Sequence, residues 1–239
     1  MFGAIYQTVI YQPIFNLLVW FYNIMPGHDL GLAIILFTLF FKIILSPFFI
    51  QSIKAQRKMQ AIQPKLEDLK EKYKESKEKL GVAMMELYRQ EKVSPFSSCL
   101  PLLVQMPILI AIFQTFRQGL ANGSLNLIYP FINNPGSINP ISLGFIDLSQ
   151  KSIVIAILAG LAQFWQSKLM LKKKKNQPAP KSALAASMNQ QMLYFMPAFT
   201  AIIGFSLPAG LTFYWLLTTV LSAVQQIFIF KKMDGKEAK

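Results

Sequence analysis

Acidic residues are scarce in this sequence: Asp and Glu number 11 against 24 Lys and Arg in 239 residues. Charge of either sign makes up only 15% of the chain, where a soluble domain carries about a quarter, and 53% is hydrophobic. That shortage argues against a large soluble core and for a protein built into a bilayer. Cysteine occurs once, at Cys99, which excludes an intrachain disulfide; in its apolar run the thiol reads as a small hydrophobe. Histidine also occurs once, at His28, with no companions for a metal site or a catalytic triad. No Gly-rich loop ends in Gly-Lys-Ser/Thr, so a nucleotide site is not expected, nor is any cofactor. Residues 1–27 contain neither Lys nor Arg, so the charged start of a signal peptide is missing, and the segment is expected to stay on the mature protein. Internal repeats are absent.

What is present is a set of long apolar runs. The first, Leu30–Ile53 (span 29–53), is interrupted only by Lys42, and the second, Pro95–Phe116 (span 94–118), carries no charge. The third, Ser152–Leu171 (span 152–171), has Lys168 near one end, where its stem can snorkel to the interface. A short fourth run, Met192–Leu207 (span 191–207), is joined to the fifth, Leu211–Phe230 (span 208–230), by the turn Ser206-Leu207-Pro208-Ala209-Gly210. The expected fold is therefore an all-α polytopic membrane protein with five transmembrane helices.

The basic residues orient it. Segment 54–93 holds eleven, 168–190 six and the tail 231–239 four, together 21 of the 24, while the other side receives Arg117 and Lys151. By the positive-inside rule the N-terminus is outside and the C-terminus cytoplasmic. The net charge of +13 thus reflects cytoplasmic loops, with anionic lipids and ribosomal RNA as candidate partners. In 1–28, Ile10, Ile14, Leu17, Leu18, Phe21 and Met25 recur at helical spacing while Gln7, Tyr11, Gln12, Asn16 and Asn23 fall mostly elsewhere, which predicts an amphipathic helix in the outer interface; a sixth span is the other reading. The outer loop 119–151, with Pro130, Pro135 and Pro140, is expected to be irregular, and the cytoplasmic loop 172–190 is a linker opened by Lys172–Lys175.

Segment 54–93 reads as a cytoplasmic helical hairpin. Ile62, Leu66, Leu69 and Tyr73 form one narrow stripe, Ser76–Gly81 offers a turn, and Val82–Glu91 a second helix with Met84, Leu87 and Tyr88 on one side. It serves either as a solvated connector or as a mobile paddle that meets partners through Met59, Met84 and Met85.

Lys42 is the outlier. A lysine at a span centre costs about 2.5–3.5 kcal/mol on insertion scales. It lies about 16 Å from either end of a straight span, and no span offers Asp or Glu to pair with it. Water must reach it, so the bundle is expected to contain a hydrated cavity. Thr38, Lys42 and Ser46 share one helical face; Trp215, Thr218, Ser222, Gln225 and Gln226 form a polar stripe on the fifth span; Gln163 and Gln166 lie on the third, and Gln105 and Gln114 on the second. Interhelical hydrogen bonding accounts for some of these as well as a cavity wall does.

The stretch Glu91-Lys92-Val93-Ser94-Pro95-Phe96-Ser97-Ser98-Cys99-Leu100-Pro101-Leu102-Leu103-Val104-Gln105-Met106-Pro107 resembles the start of the second conserved span of the YidC membrane protein insertases, relatives of the Oxa-type and Albino-type insertases. The turn Leu207-Pro208-Ala209-Gly210-Leu211, the pair Gln225-Gln226, Met192–Pro197 and Met59–Pro64 match the same family in order, from about Val9 onward. The resemblance implies five core spans around a hydrophilic groove open to cytoplasm and lipid. It also implies a cation on the first span that attracts acidic outer segments of newly made membrane proteins. Lys42 takes that place where the family usually has Arg, keeping the charge but losing the bidentate fork. Gln166 and Trp215 resemble groove-lining residues. A bacterial plasma-membrane insertase or chaperone, active as a monomer and not an enzyme, is the implied function. Its implied partners are a Sec translocon and a ribosome, the latter touched through the hairpin and Lys172–Lys175. The large outer domain of some members is not expected here, and the stretch after the fifth run is nine residues long. A small-anion transporter or channel using Lys42 as its binding charge is the alternative, although transporters often carry repeats. An intramembrane hydrolase lacks its Ser/Lys, Asp/Asp or His/Glu constellation.

Overall fold

A computed structural model of the chain describes residues 5–94, 100–117, 125–171 and 190–237. Cys99, part of the motif leading into the second span, and Lys172–Lys175 with most of the linker 172–190 lie outside the described residues. Eight α-helices make up the described chain: α1 (Gln12–Ile24), α2 (Leu30–Ile44), α3 (Ser46–Lys72), α4 (Lys77–Gln90), α5 (Leu100–Arg117), α6 (Ile153–Met170), α7 (Met196–Ser206) and α8 (Ala209–Glu237).

Proline shapes these helices in two ways. Wide π-helical turns, Gln7–Tyr11 and Gln191–Phe195, run directly into α1 and α7, and each ends two residues before a proline, Pro13 and Pro197. Proline has no N–H for the carbonyl four residues back and its ring crowds that carbonyl, so a wider turn lets the helix pass through. Pro47 acts more severely. The expected straight first span does not form: α2 and α3 meet at Leu45 with a bend of 67°, because Pro47 cannot donate to Ile43 and starts a new helix instead. Beyond the bend α3 runs on without a break to Lys72, so the end of the apolar run and the first half of the hairpin are one helix.

The hairpin closes as its stripes predict, with Ile62, Leu66 and Val93 buried and Met59, Met84, Leu87 and Tyr88 against them. Two details differ. Helix α4 starts at Lys77 rather than Val82, because the Ser76 hydroxyl accepts from the Lys79 N–H and caps it there. Met59 and Met84 belong to the hairpin's own small core, leaving Val82 and Met85 exposed. Lys65 pairs with Glu91 across the two helices, and the Arg89 guanidinium beside exposed Glu86 holds that carboxyl below the usual range. The side chain of Gln60 donates to the Met170 carbonyl, tying α3 to the end of α6.

Helix α1 packs onto α2 and α5 through a face wider than the expected stripe, with Tyr11, Phe15, Val19 and Tyr22 buried alongside Ile14, Leu18 and Phe21. The extra face is covered by the outer loop. Asn16, 2% exposed, donates to the Leu127 and Gln12 carbonyls at 2.8 Å each and accepts from the Tyr129 N–H at 2.7 Å. Gln12 also donates to Leu127, Asn23 donates to the Asn133 carbonyl, and the Tyr22 hydroxyl accepts from Asn139 N–H. Polar positions expected to face away from the apolar stripe therefore hold the loop down.

That loop is more ordered than its prolines suggest. Ile141–Ser142 and Ile146–Asp147 pair antiparallel around a tight turn, with Leu143 at φ +53° and Gly144 at φ +81°. Asp29 caps α2, accepting from Leu32 N–H at 3.0 Å, and accepts from the Ser142 hydroxyl at 2.7 Å and the Leu143 N–H at 2.5 Å. Gly31 permits this approach, since a Cβ there would lie 2.1 Å from Ser142 Oγ. At the far end of the loop, the Gln150 and Leu148 carbonyls accept from Ala209 and Gly210 N–H and cap α8. Replacing Asp29 with alanine is expected to destabilise the protein by about 1–2 kcal/mol through the lost cap alone. The check is thermal unfolding in detergent; a melting point unchanged by Asp29→Ala would show that the contact contributes nothing.

Helices α6, α7 and α8 pack as a unit. Gly160 lets α6 and α7 approach closely, since a Cβ there would lie 2.9 Å from that of Ala201. Outward from the bundle, apolar side chains stand exposed in bands: Ile153, Ile157 and Leu161 on α6, and Phe199, Ile202 and Phe205 on α7. Such surfaces are intolerable in water and natural against lipid. Helices α6 and α8 are each long and apolar enough to cross a membrane, the bent pair α2–α3 qualifies together, and α5 and Gln191–Ser206 are shorter apolar helices. The protein is an all-α membrane protein.

Candidate functional site

Lys42 sits in the last turn of α2, three residues before the bend, and not midway along a straight rod. It is 6% exposed. Among the described residues no carboxylate forms an ion pair with it. A buried ammonium carries a large desolvation cost unless its donors are used. One donor is: Lys42 Nζ donates to Ser222 Oγ of α8 at 2.6 Å. A second partner is aromatic, the Phe49 ring, whose centroid lies 4.1 Å from Nζ. An ammonium over a ring face is attracted to the negative quadrupole, by about 2 kcal/mol when water is excluded.

The hydroxyl that receives Lys42 belongs to a ladder on α8. Ser222 donates to the Thr218 carbonyl at 2.7 Å, and Thr218 to the Tyr214 carbonyl at 2.8 Å. Residues 214, 218 and 222 are spaced four apart and so lie one above another on one helical face. Gln105 of α5 donates its side-chain amide to the Tyr214 hydroxyl, closing the site from a third helix. Thr38, one turn before Lys42, is buried and donates to the Ile34 carbonyl at 2.6 Å. Together Thr38, Phe41, Lys42, Leu45, Phe49, Gln105, Tyr214 and Thr218 line a small, partly open space of about 10 Å³, room for about one water molecule.

Of the residues expected to share a site, the fold gathers Thr38, Lys42, Gln105, Thr218 and Ser222. Ser46 departs, because the face it would share with Lys42 exists only on an unbroken helix; it lies past the bend and outside this wall. Gln163 and Gln166 on α6 and Trp215 on α8 are half-buried and lie outside it too. Gln225 and Gln226 sit further along α8. Each has a buried side-chain oxygen without a hydrogen-bond partner among the described residues, near the point where Arg57 stacks 4.9 Å from the Phe230 ring. Sequence reading missed Tyr214 and Phe49. Tyr214 was within reach, being one turn before Thr218 on the same stripe. Phe49 was not, since the bend is what swings it over Lys42.

Known proteins supply the context for this site. The sequence model of the 60Kd inner membrane protein family matches residues 20–237. A protein of Fusobacterium nucleatum named membrane protein insertase YidC is 33% identical over 207 residues, covering 85% of this chain and 87% of that protein. Proteins of the same name from Aeromonas salmonicida and Geobacter metallireducens are 34% identical over 221 residues and 32% over 230. They are longer, and the chain spans 36% and 38% of their lengths. The match takes in every helix that builds the Lys42 site, and with it the chain belongs to the 60Kd inner membrane protein family, that of the YidC membrane protein insertases.

Proposed function

We propose that this chain inserts newly made membrane proteins into a bacterial cell membrane, with Lys42 as the charge that receives acidic groups on the segment to be translocated. The observation that carries this reading is a buried lysine without a carboxylate partner among the described residues, satisfied by one hydroxyl and one ring at the meeting of α2, α5 and α8. A charge kept in a membrane protein at such cost marks a functional position. The five runs act as five spans, with the N-terminus outside and the C-terminus in the cytoplasm, an orientation supported by 21 of 24 basic residues on one side. Helix α1 and the outer loop then cap the outer end.

An incoming chain first meets the hairpin, whose exposed Val82 and Met85 offer adaptable apolar contact. Its hydrophobic segment moves along a hydrophilic groove lined by Thr38, Lys42, Gln105, Thr218, Ser222 and Gln225 together with Gln163, Gln166 and Trp215. Acidic groups on its polar flank are compensated by Lys42. The segment leaves sideways into lipid, driven by its own apolar burial. The fourth span assists: Gln191–Ser206 is 16 residues long, about 24 Å, against a hydrocarbon core of about 30 Å, so the bilayer thins beside it. Anionic lipids, a ribosome touching the hairpin and Lys172–Lys175, and a Sec translocon are the partners this reading names. No bond chemistry and no cofactor are involved, and one copy suffices.

Reconstitution tests it. The purified chain in liposomes is expected to insert a single-span protein with an acidic outer segment, scored by protease protection. Liposomes that insert nothing and instead pass a small anion would replace this reading with that of a transporter.

A further inference from the structure

In the arrangement described the ammonium of Lys42 is already occupied. Lys42 is 6% exposed, with the Ser222 hydroxyl and the Phe49 ring against its Nζ. Yet its partners are an odd set for a permanent structural lysine: a neutral hydroxyl and an aromatic face, with one donor engaged at 2.6 Å and no compensating acid among the described residues. The two partners also belong to different parts of the molecule. Ser222 is on α8, packed against α2 and α6. Phe49 is in the first turn of α3, on the far side of the break at Leu45 from Lys42 itself.

That break is a hinge by construction. Leu45 has φ −86° and ψ 0°, outside the helical pair that flanks it, and Pro47 brings no N–H to join the two helices. Rotation there would move α3, and Phe49 with it, while Thr38 and Lys42 belong to α2 and the hydroxyl ladder to α8. Further out, α3 packs against α5 and α8 with Ser52 and Ile53 buried, and Gln60 on the Met170 carbonyl and Arg57 over Phe230 are among the contacts that position it.

We infer that Phe49 is a hinged cover for Lys42: its ring and the Ser222 hydroxyl occupy the ammonium until α3 swings away and a substrate carboxylate takes the ring's place. This rests on the reading of Lys42 as the receiving charge. Phe49 is accordingly a positioning and selecting residue. A carboxylate offers the ammonium a charge-assisted hydrogen bond that a neutral flank does not, so the cover favours acidic segments over neutral ones.

The test is the acylation rate of Lys42 by a membrane-permeant amine reagent, read by mass spectrometry on the full chain in liposomes, with exposed Lys58 as internal reference. The wild type is expected to label at Lys42 at least about tenfold more slowly than at Lys58. Phe49→Leu, which keeps an apolar side chain but has no ring face, is expected to raise the Lys42 rate on the order of tenfold, while Phe49→Tyr, which keeps the ring, leaves it slow. Three results overturn the cover: Lys42 labelling as fast as Lys58 in the wild type, Phe49→Leu staying slow, or Phe49→Tyr labelling as fast as Phe49→Leu. The parent reading fails separately. If the labelling pattern holds while Lys42→Ala inserts acidic substrates normally, the cover stands and the role of Lys42 as receptor falls. If Lys42→Ala abolishes insertion and Phe49→Leu stays slow, the receptor stands and the cover falls.

Discussion

Replacing Lys42 with alanine is expected to slow insertion of a substrate with an acidic outer flank by about ten- to a hundredfold, and to leave a neutral-flank version of the same substrate unchanged. The size follows from one hydrogen bond to a charged group in a site with little water, about 1.5–3 kcal/mol, at roughly 1.4 kcal/mol per factor of ten. The sign follows from the missing acid: no carboxylate among the described residues pairs with Lys42, so its removal leaves no buried anion stranded. Alanine in fact relieves a desolvation cost, so the variant should fold at least as well as the wild type. That separates loss of function from loss of structure. Lys42→Arg should retain most of the rate, since the charge remains and a guanidinium can bond a carboxylate through two donors. Protease-protected product from reconstituted liposomes measures all of these. Equal loss on acidic and neutral substrates would mean that Lys42 shapes the site instead of reading charge.

The second large effect lies at the other end of the molecule. Asn16→Leu is expected to cost about 2–4 kcal/mol, because a part-buried N–H, that of Tyr129, loses its acceptor and two further hydrogen bonds disappear. The Leu127 carbonyl keeps Gln12 as donor, which bounds the loss. Leucine is close to asparagine in shape, so packing is little changed and the cost is that of unmet polar groups. Unfolding in detergent reads the total. Hydrogen exchange locates it: the Tyr129 amide should lose protection while amides in α6 and α8 keep theirs. Uniform loss across the chain would place Asn16 in the global core instead of at a local attachment of the outer loop.

Much of this protein was legible before any fold was known, and the reason is that lipid imposes simple rules. An apolar run must be a helix there, so the apolar helices and the charged hairpin could be marked from the sequence, and the described helices appear where the runs predict. Residues on one regular helix were also legible. Thr38 with Lys42 and Thr218 with Ser222 come together because a spacing of four fixes a shared face. The reading failed where regularity failed. Ser46 was placed on the face of Lys42 by counting through Pro47, and the 67° bend removed it. The polar residues of α1 were assigned away from its apolar stripe, because a helix pattern cannot show that a loop more than a hundred residues later will lie across it.

By itself the sequence determined that Lys42 would be a cation inside an apolar helical run of a membrane protein, with no acid in any of the apolar runs to neutralise it. Which groups meet that ammonium was decided only in three dimensions. Ser222 is 180 residues away in the chain, and Phe49 reaches the ammonium through a break in the helix. Local propensity and hydropathy are properties of neighbours along the chain, whereas the partner of a buried charge is chosen by which helices pack side by side and at what angle.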